Sequence, residues 1–299
     1  MHLAVTGATG FLGRSIVSIL VEQGHTCRCW YRMTSDRGGF DAVASSLEWV
    51  PGSLRDPESE TALLKGCDGV VHAALDRPGS GFIGAEGDLL NFAEANLMGS
   101  IRLFQAAEQA GVSRFVFVST CAVYDTILDD RPLDETHPLW PGSHYGAHKA
   151  ALEAFVHSFS KRGLPICSLR PTGIYGLARP INQSKWYGLI RELMEGRDVT
   201  VCRGGKEVHV DDVARAVALL LEAPDDQVIG QSFNCYDRYV SEYDVASLAR
   251  DAGAPGRVIG EPTRPKHQIE TEKLRSLGMS FGGSPQLEQY VRSIVASIG

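Results

Sequence analysis

Tyr145 and Lys149, in the run Tyr145-Gly146-Ala147-His148-Lys149, lie four positions apart and share one face if the segment is helical. An ammonium beside a phenol stabilises the phenolate and brings its pKa from about 10 towards neutrality. Such a phenol can exchange a proton with a hydroxyl or carbonyl oxygen whose carbon gains or loses hydride. Upstream, Ser119-Thr120-Cys121-Ala122-Val123-Tyr124 follows a strand-like run, and Thr120 or Ser119 offers a hydroxyl donor to the same oxygen. The tyrosine–lysine spacing is common by chance. Its weight comes from what precedes it.

Thr6-Gly7-Ala8-Thr9-Gly10-Phe11-Leu12-Gly13 stands between an apolar strand-like run and an amphipathic one. In a strand–turn–helix unit Gly7 permits the tight turn, Gly10 lets backbone approach a diphosphate, and Gly13 lets helix and strand pack closely. The helix N-terminus then aims free N–H groups at negative charge. Thr9, Phe11 and Leu12 complete this turn as cofactor-binding candidates, and the chemistry it points to is dinucleotide binding. About 20 residues on, the second strand of such a fold presents a carboxylate to a ribose 2′-hydroxyl or a cation to a 2′-phosphate. Here that strand ends Trp30-Tyr31-Arg32. A guanidinium makes planar, bidentate phosphate contacts, so Arg32 points to NADP; Asp36 keeps NAD open if the loop doubles back.

The elements that must position these groups alternate. Strands are predicted at 3–6, 26–31, 47–50, 69–73, 114–119 and 166–169, with helices at 11–23, 58–65, 86–110 and 145–160. Strands joined by crossover helices imply right-handed βαβ units and a parallel sheet. The fold class is therefore α/β, a Rossmann-type doubly wound sheet. After Arg170 the rhythm breaks: a helix is predicted near 186–195, a strand end and helix at 208–223, a strand at 232–235, and mostly helix beyond. The expected division is a dinucleotide-binding domain, 1–170 plus about 206–235, and a smaller discontinuous substrate lobe, about 171–205 and 236–299. The turn-rich stretch 76–87 is long enough to be functional rather than a plain connector.

At 299 residues, with Lys+Arg 29 against Asp+Glu 36 and 43% apolar residues, the chain suits one large α/β unit or two lobes. The net charge of −7 leaves no basic stripe for nucleic acid. No apolar run of about 18 residues spans a membrane, and the first residues read as a strand rather than a signal peptide. Seven scattered cysteines without a CxxC pair suggest reduced thiols in a cytoplasmic protein. No ligand spacing suggests a metal.

Together these motifs resemble the extended short-chain dehydrogenase/reductase family, also called the NAD-dependent epimerase/dehydratase family. The likeness runs through TGATGFLG at 6–13, GSLRD at 52–56, VVHAA at 70–74, NLMGS at 96–100, VFVSTCAVY at 116–124, YGAHK at 145–149, LRPTGIYG at 169–176 and HVDDVA at 209–214. The resemblance implies that Thr120 holds the substrate oxygen, Tyr145 is the acid/base, and Lys149 binds the nicotinamide ribose while tuning Tyr145. It implies Leu54, Ala73 and Ala74 along the adenine and ribose path, and Pro171 and Ile174 near the nicotinamide. It also implies a homodimer through the helices around 88–110 and 145–160. There are departures. Ser53 replaces the usual aspartate facing adenine, and Cys121-Ala122 replaces the Asp-Glu pair of 4,6-dehydratases. Gly173 stands where nucleotide-sugar epimerases often have Asn, and the run 203–208 is shortened, although Arg203 or Lys206 could reach a diphosphate.

The expected function is an NAD(P)-dependent oxidoreductase acting at a carbonyl/hydroxyl carbon of a sugar-like or other small polar substrate. The alternatives are a nucleotide-sugar 4-epimerase with tightly bound NAD and a non-enzymatic NADP-sensing regulator. His72, His144, His148 and His209 are read as structural, Cys121 as a substrate contact rather than a nucleophile, and Trp140, Trp186 and Tyr187 as packing residues of which one could cover the substrate.

Overall fold

Short runs of β-branched and aromatic residues recur through the first 170 residues; those at 3–6, 69–72, 114–118 and 166–171 become strands buried on both faces, while Leu47–Pro51 at the sheet edge stays partly exposed. The computed structural model describes residues 1–77, 84 and 86–299. In chain order the strands are β1 (His2–Thr6), β2 (Thr26–Tyr31), β3 (Leu47–Pro51), β4 (Gly69–His72), β5 (Arg114–Val118) and β6 (Ile166–Pro171). After them come β7 (Gly173–Tyr175), β8 (Val199–Val201), β9 (Gly204–His209), β10 (Ser232–Cys235), β11 (Arg238–Ser241) and β12 (Val258–Gly260). Seven of them form one parallel sheet in the order β10-β6-β5-β4-β1-β2-β3. Strand order reverses beside β1, and ligands of doubly wound sheets bind outside the strand carboxyl ends at that point.

Helices cover both faces. As far as Glu222 the helices are, in chain order, α1 (Phe11–Glu22), α2 (Ser59–Leu64), α3 (Leu89–Ala93), α4 (Gly99–Ala110), α5 (His144–Lys161), α6 (Tyr187–Met194) and α7 (Val210–Glu222). Along the sheet, alternate side chains sort to opposite layers. Leu3, Val5, Val116 and Val118 pack with Ile16 and Leu20 of α1 and Val213 and Val217 of α7. Ala4, Phe115 and Phe117 pack with Leu103 and Phe104 of α4 and Leu152 and Val156 of α5.

The helix expected at 86–110 begins at Leu89, because Asp88 caps it by accepting from the Asn91 amide at 2.9 Å. A π-helical segment, Glu94–Met98, interrupts it. There the Asn96 amide donates to the Asp76 carbonyl at 2.7 Å and to the Phe92 carbonyl at 3.0 Å, while its oxygen accepts from the Asp76 amide at 2.7 Å. That clasp fixes the start of the 76–87 stretch, most of which lies outside the described residues.

Beyond β6, β7 and β8 add strands to the turn-rich stretch 171–205, and β11 and β12 add strands to the mostly helical part beyond 235. β7, β9 and β11 make a second sheet, with β9 parallel to β7 and antiparallel to β11; β12 pairs with β8. Only the end of β9, at 208, is readable from the sequence; the others span three or four residues, too few for a period to show, and Gly173, Gly204 and Gly205 interrupt the pattern in β7 and β9. A separate apolar cluster holds this region, including Tyr175, Ile190, Leu193, Val240, Val245 and Val291. Among the described residues no helix is long and apolar enough to cross a membrane.

Candidate active site

A cleft of about 820 Å³ opens at the carboxyl ends of the central strands. That volume lies in the range of small-molecule and cofactor sites. Each catalytic and cofactor-binding candidate read from the sequence lines it. Gly7, Thr9, Gly10, Phe11, Leu12 and Gly13 come from the β1–α1 turn, Arg32 from the end of β2, and Leu54 from the segment after β3. Ala73 and Ala74 follow β4, Ser119 and Thr120 follow β5, Tyr145 and Lys149 lie on α5, and Pro171 and Ile174 come from β6 and β7.

The glycine turn is a cradle by necessity. Gly7 has φ +74°, and a Cβ there would sit 2.8 Å from the Ala73 backbone. A Cβ on Gly13 would collide with the Gly7 carbonyl oxygen. No side chain caps the N-terminus of α1. Its first amides therefore remain available towards the cleft, which fits a dinucleotide diphosphate. At the end of β2, the carboxylate of Asp36 accepts from the Gly38 amide at 2.8 Å and from Arg179 Nε at 3.1 Å, and Arg14 lies 3.4 Å away. These partners hold the Asp36 carboxyl below its ordinary pKa. Arg32 is exposed beside it.

Ser143 sets where α5 begins: its hydroxyl accepts from the Gly146 amide at 3.1 Å, while Glu86 accepts from the Tyr145 amide at 3.1 Å. Tyr145 and Lys149 thus occupy the first two turns, one above the other and both buried. Against the expected lowering of the Tyr145 pKa by Lys149 stands burial. Burial raises the phenol, and the groups that pull it back are the Thr120 side chain, by a hydrogen bond, and the charge of Arg77. Lys149 Nζ instead donates to the Val118 carbonyl at 2.8 Å. Its own pKa falls to about 7 because it is desolvated, with Glu153 opposing.

Between the two serine/threonine candidates, geometry separates the roles. The Ser119 hydroxyl donates to Glu153, whereas the Thr120 hydroxyl hydrogen-bonds Tyr145 and accepts from the Ala122 amide at 3.1 Å. Behind them lies a buried pair that sequence reading missed. Glu153, one helical turn beyond Lys149, accepts from Arg170 Nε at 2.9 and 3.0 Å and from Ser232 at 3.0 Å. Arg170 also donates to the Tyr124 hydroxyl and to the Glu135 carbonyl at 3.3 Å.

The remaining candidates resolve on contacts. His72 bridges Thr6 at 2.7 Å and Ser100 at 2.9 Å inside the core. Burial drives the His148 pKa down to about 3, so it stays neutral against Phe92. His209 caps α7 by accepting from the Asp211 amide at 3.2 Å, and His144 is the exposed first residue of α5. Cys121 lines the cleft, but its thiol donates to the Arg170 carbonyl at 3.0 Å and burial pushes it up to about 12, so it is no nucleophile. Trp140, Trp186 and Tyr187 do not line the cleft; Trp186 packs on Tyr175 and Tyr290. Of the two cations in the shortened run, Lys206 lines the cleft and Arg203 does not. Arg77, in the stretch noticed only for its length, also lines it. Ile127, Leu133 and Ile269 add an apolar wall that no motif announced.

A family model for the NAD dependent epimerase/dehydratase family matches residues 3–235. The 4-hydroxy-2-methyl-3-oxo-4-farnesyl-3,4-dihydroquinoline-1-oxide ketoreductase of Stigmatella aurantiaca is 34% identical over 181 residues, 59% of this chain and 51% of that protein. The 3-beta-hydroxysteroid dehydrogenase of Mycolicibacterium neoaurum is 29% identical over 216 residues, 71% of this chain and 57% of that protein. The chain thus spans about half the length of these curated relatives. The UDP-glucose 4-epimerase of Corynebacterium glutamicum is 26% identical over 242 residues, covering 75% of this chain and 71% of that protein. Among solved structures, the Thermus thermophilus UDP-glucose 4-epimerase in complex with NAD superposes with a TM-score of 0.79 at 26% identity, covering 100% of this chain and 99% of that one.

Proposed function

The chain belongs to the NAD-dependent epimerase/dehydratase family, and we propose that within it the protein is an oxidoreductase acting at a carbonyl/hydroxyl carbon of a small substrate. The observation that carries this is convergence: Thr120, Tyr145 and Lys149 line the same cleft as the glycine turn. Gly7, Gly10, Gly13 and the first amides of α1 would hold the diphosphate, Leu54, Ala73 and Ala74 the adenosine path, and Pro171 and Ile174 the nicotinamide end. A bound nicotinamide dinucleotide accepts or supplies the hydride. Thr120 orients the reacting oxygen; Tyr145, kept protonated by burial, gives that oxygen its proton during reduction and takes one back during oxidation. Lys149 places positive charge beneath the phenol and the ribose.

We propose NADP as the cofactor. Asp36 already spends its carboxylate on Gly38, Arg14 and Arg179, while the Arg32 guanidinium stands exposed at the cleft rim. That arrangement favours a 2′-phosphate over a 2′-hydroxyl. Residues 1–170 with about 206–235 would bind the cofactor, and 171–205 with 236–299 would select the substrate. We place the protein in the cytoplasm on its seven unpaired cysteines.

The second reading is a nucleotide-sugar 4-epimerase that retains NAD, favoured by the likeness to the NAD-bound epimerase. The ketoreductase and steroid dehydrogenase relatives favour the first. Denaturing the purified protein and identifying what is released separates them: stoichiometric NAD supports the epimerase, and an emptied site that takes up NADPH supports the reductase. Tyr145→Phe should lose about 10²–10⁴ in hydride transfer while cofactor binding survives. Undiminished turnover in that variant would sink the mechanism under either reading.

A further inference from the structure

We infer that the substrate carries a single anionic group, held by Lys206, on a body flanked by Ile127, Leu133 and Ile269. This rests on the oxidoreductase reading and names the chemistry of its substrate.

Strand β9 sends alternate side chains to opposite sides. Glu207 turns inward, where its carboxylate accepts two hydrogen bonds from Lys185 Nζ, each 2.6 Å long. Lys206, its neighbour, lines the cleft. Four cationic side chains line that cleft among the described residues. Arg32 stands at the rim beside Asp36, Lys149 donates to Val118, and Arg77 is coupled to the Tyr145 phenol. The Lys206 ammonium is half-buried and meets no hydrogen-bond acceptor or carboxylate among the described residues. It lies within electrostatic reach of the Cys121 thiol, next in sequence to Thr120. Taking an ammonium partly out of water without a partner is unfavourable, so the site gains most from a ligand that brings the missing anion.

The surroundings set the rest of the ligand. Leu133 and Ile269 form a parallel backbone bridge, and the Glu270 amide donates to the Leu133 carbonyl at 3.0 Å. The two segments are thus tied together over the cleft, backed by Val123, Tyr124 and Tyr236. One ammonium in a cleft that also carries this apolar wall matches one carboxylate or phosphate monoester on an apolar or weakly polar body. It does not match a diphosphate, which needs several donors.

The test titrates the protein calorimetrically with 4-formylbenzoate, 4-formylphenyl phosphate, the neutral methyl 4-formylbenzoate, and UDP. Wild-type protein should bind at least one of the two anionic aldehydes about tenfold or more tighter than the ester. Whichever binds tighter distinguishes carboxylate from phosphate. Lys206→Gln should erase that preference without weakening the ester, and Lys206→Arg should restore part of it, with circular dichroism confirming that both variants fold. The inference is overturned by equal binding of the ester, by a preference that survives in Lys206→Gln, by binding of none of the aldehydes, or by UDP binding tighter than all of them. NAD(P)H oxidation is followed on the same samples. Lys206-dependent binding without turnover would leave the anion site standing and defeat the oxidoreductase reading, so the two can fail separately.

Discussion

Lys149 carries a charge that burial has made easy to lose. Its ammonium rests on the Val118 carbonyl beneath Tyr145, and desolvation brings its pKa to about 7. As pH rises through that value the site loses one positive charge, so an anionic dinucleotide should bind more weakly. Titrating NADPH fluorescence from about pH 5.5 to 9 should show one ionisation near 7, affinity falling on the alkaline side, and Lys149→Met should flatten the profile. A wild-type profile flat across that range would show that the ammonium takes no part in binding. Tyr145 behaves oppositely, because burial raises it: reduction, which needs the protonated phenol, should hold level through neutrality and fail only well above it. At this scale the sequence was readable where chemistry demands a residue type at a fixed spacing, as with Gly7, Gly10 and Gly13 or Tyr145 and Lys149. Arg77, Leu133 and Ile269 carry no such signature. Their place in the cleft is decided by which loops fold back on it, and no local spacing records that.

Between residue and fold stand the elements, and the strongest tie among them is ionic. Glu153 on α5 and Arg170 on β6 have side chains 1% and 3% exposed and share three hydrogen bonds of 2.5, 2.9 and 3.0 Å, with Ser119 and Ser232 completing the carboxylate. The pair joins α5 to the ends of β5, β6 and β10, and so fixes the height of Tyr145 and Lys149 above the sheet. Breaking it from one side leaves a buried charge: Arg170→Met should cost about 3–5 kcal/mol, read from urea unfolding. Glu153→Leu with Arg170→Met should recover most of that, and equal losses in the single and double variants would refute charge pairing as the cause. The long central strands were legible because burial on both faces writes continuous apolar runs. β7, β11 and most of β9 were not: three to six residues, broken by glycine in β7 and β9, offer neither length nor alternation.

Over the whole molecule, the parallel sheet and its switch point follow from the alternation of strands and helices, while the cleft draws on segments from residue 7 to residue 269 that only the closed fold brings together. Total charge proved uninformative about it: a chain of net −7 concentrates four cations on one cavity among the described residues. The outer surface poses the remaining question. Leu90 is 79% exposed and Met98 43% exposed along the interrupted helix at 89–110, and Phe155 is 38% exposed on α5. These are the two helices through which family resemblance implies a homodimer. A stable dimer needs about 800 Å² from each partner with an apolar centre, and exposed apolar residues on both helices supply the material for one. Light scattering after size exclusion should therefore give a mass near twice 32.4 kDa. Leu90→Glu with Phe155→Glu should halve it, since a charge at an exposed position costs the monomer little but is expensive once buried in an interface. The glycine turn and the Tyr145–Lys149 face belong to one chain, so the separated monomer should still bind cofactor with unchanged affinity. A wild-type mass of one chain at tens of micromolar protein would remove the dimer. A variant that stays dimeric would move the interface to another face.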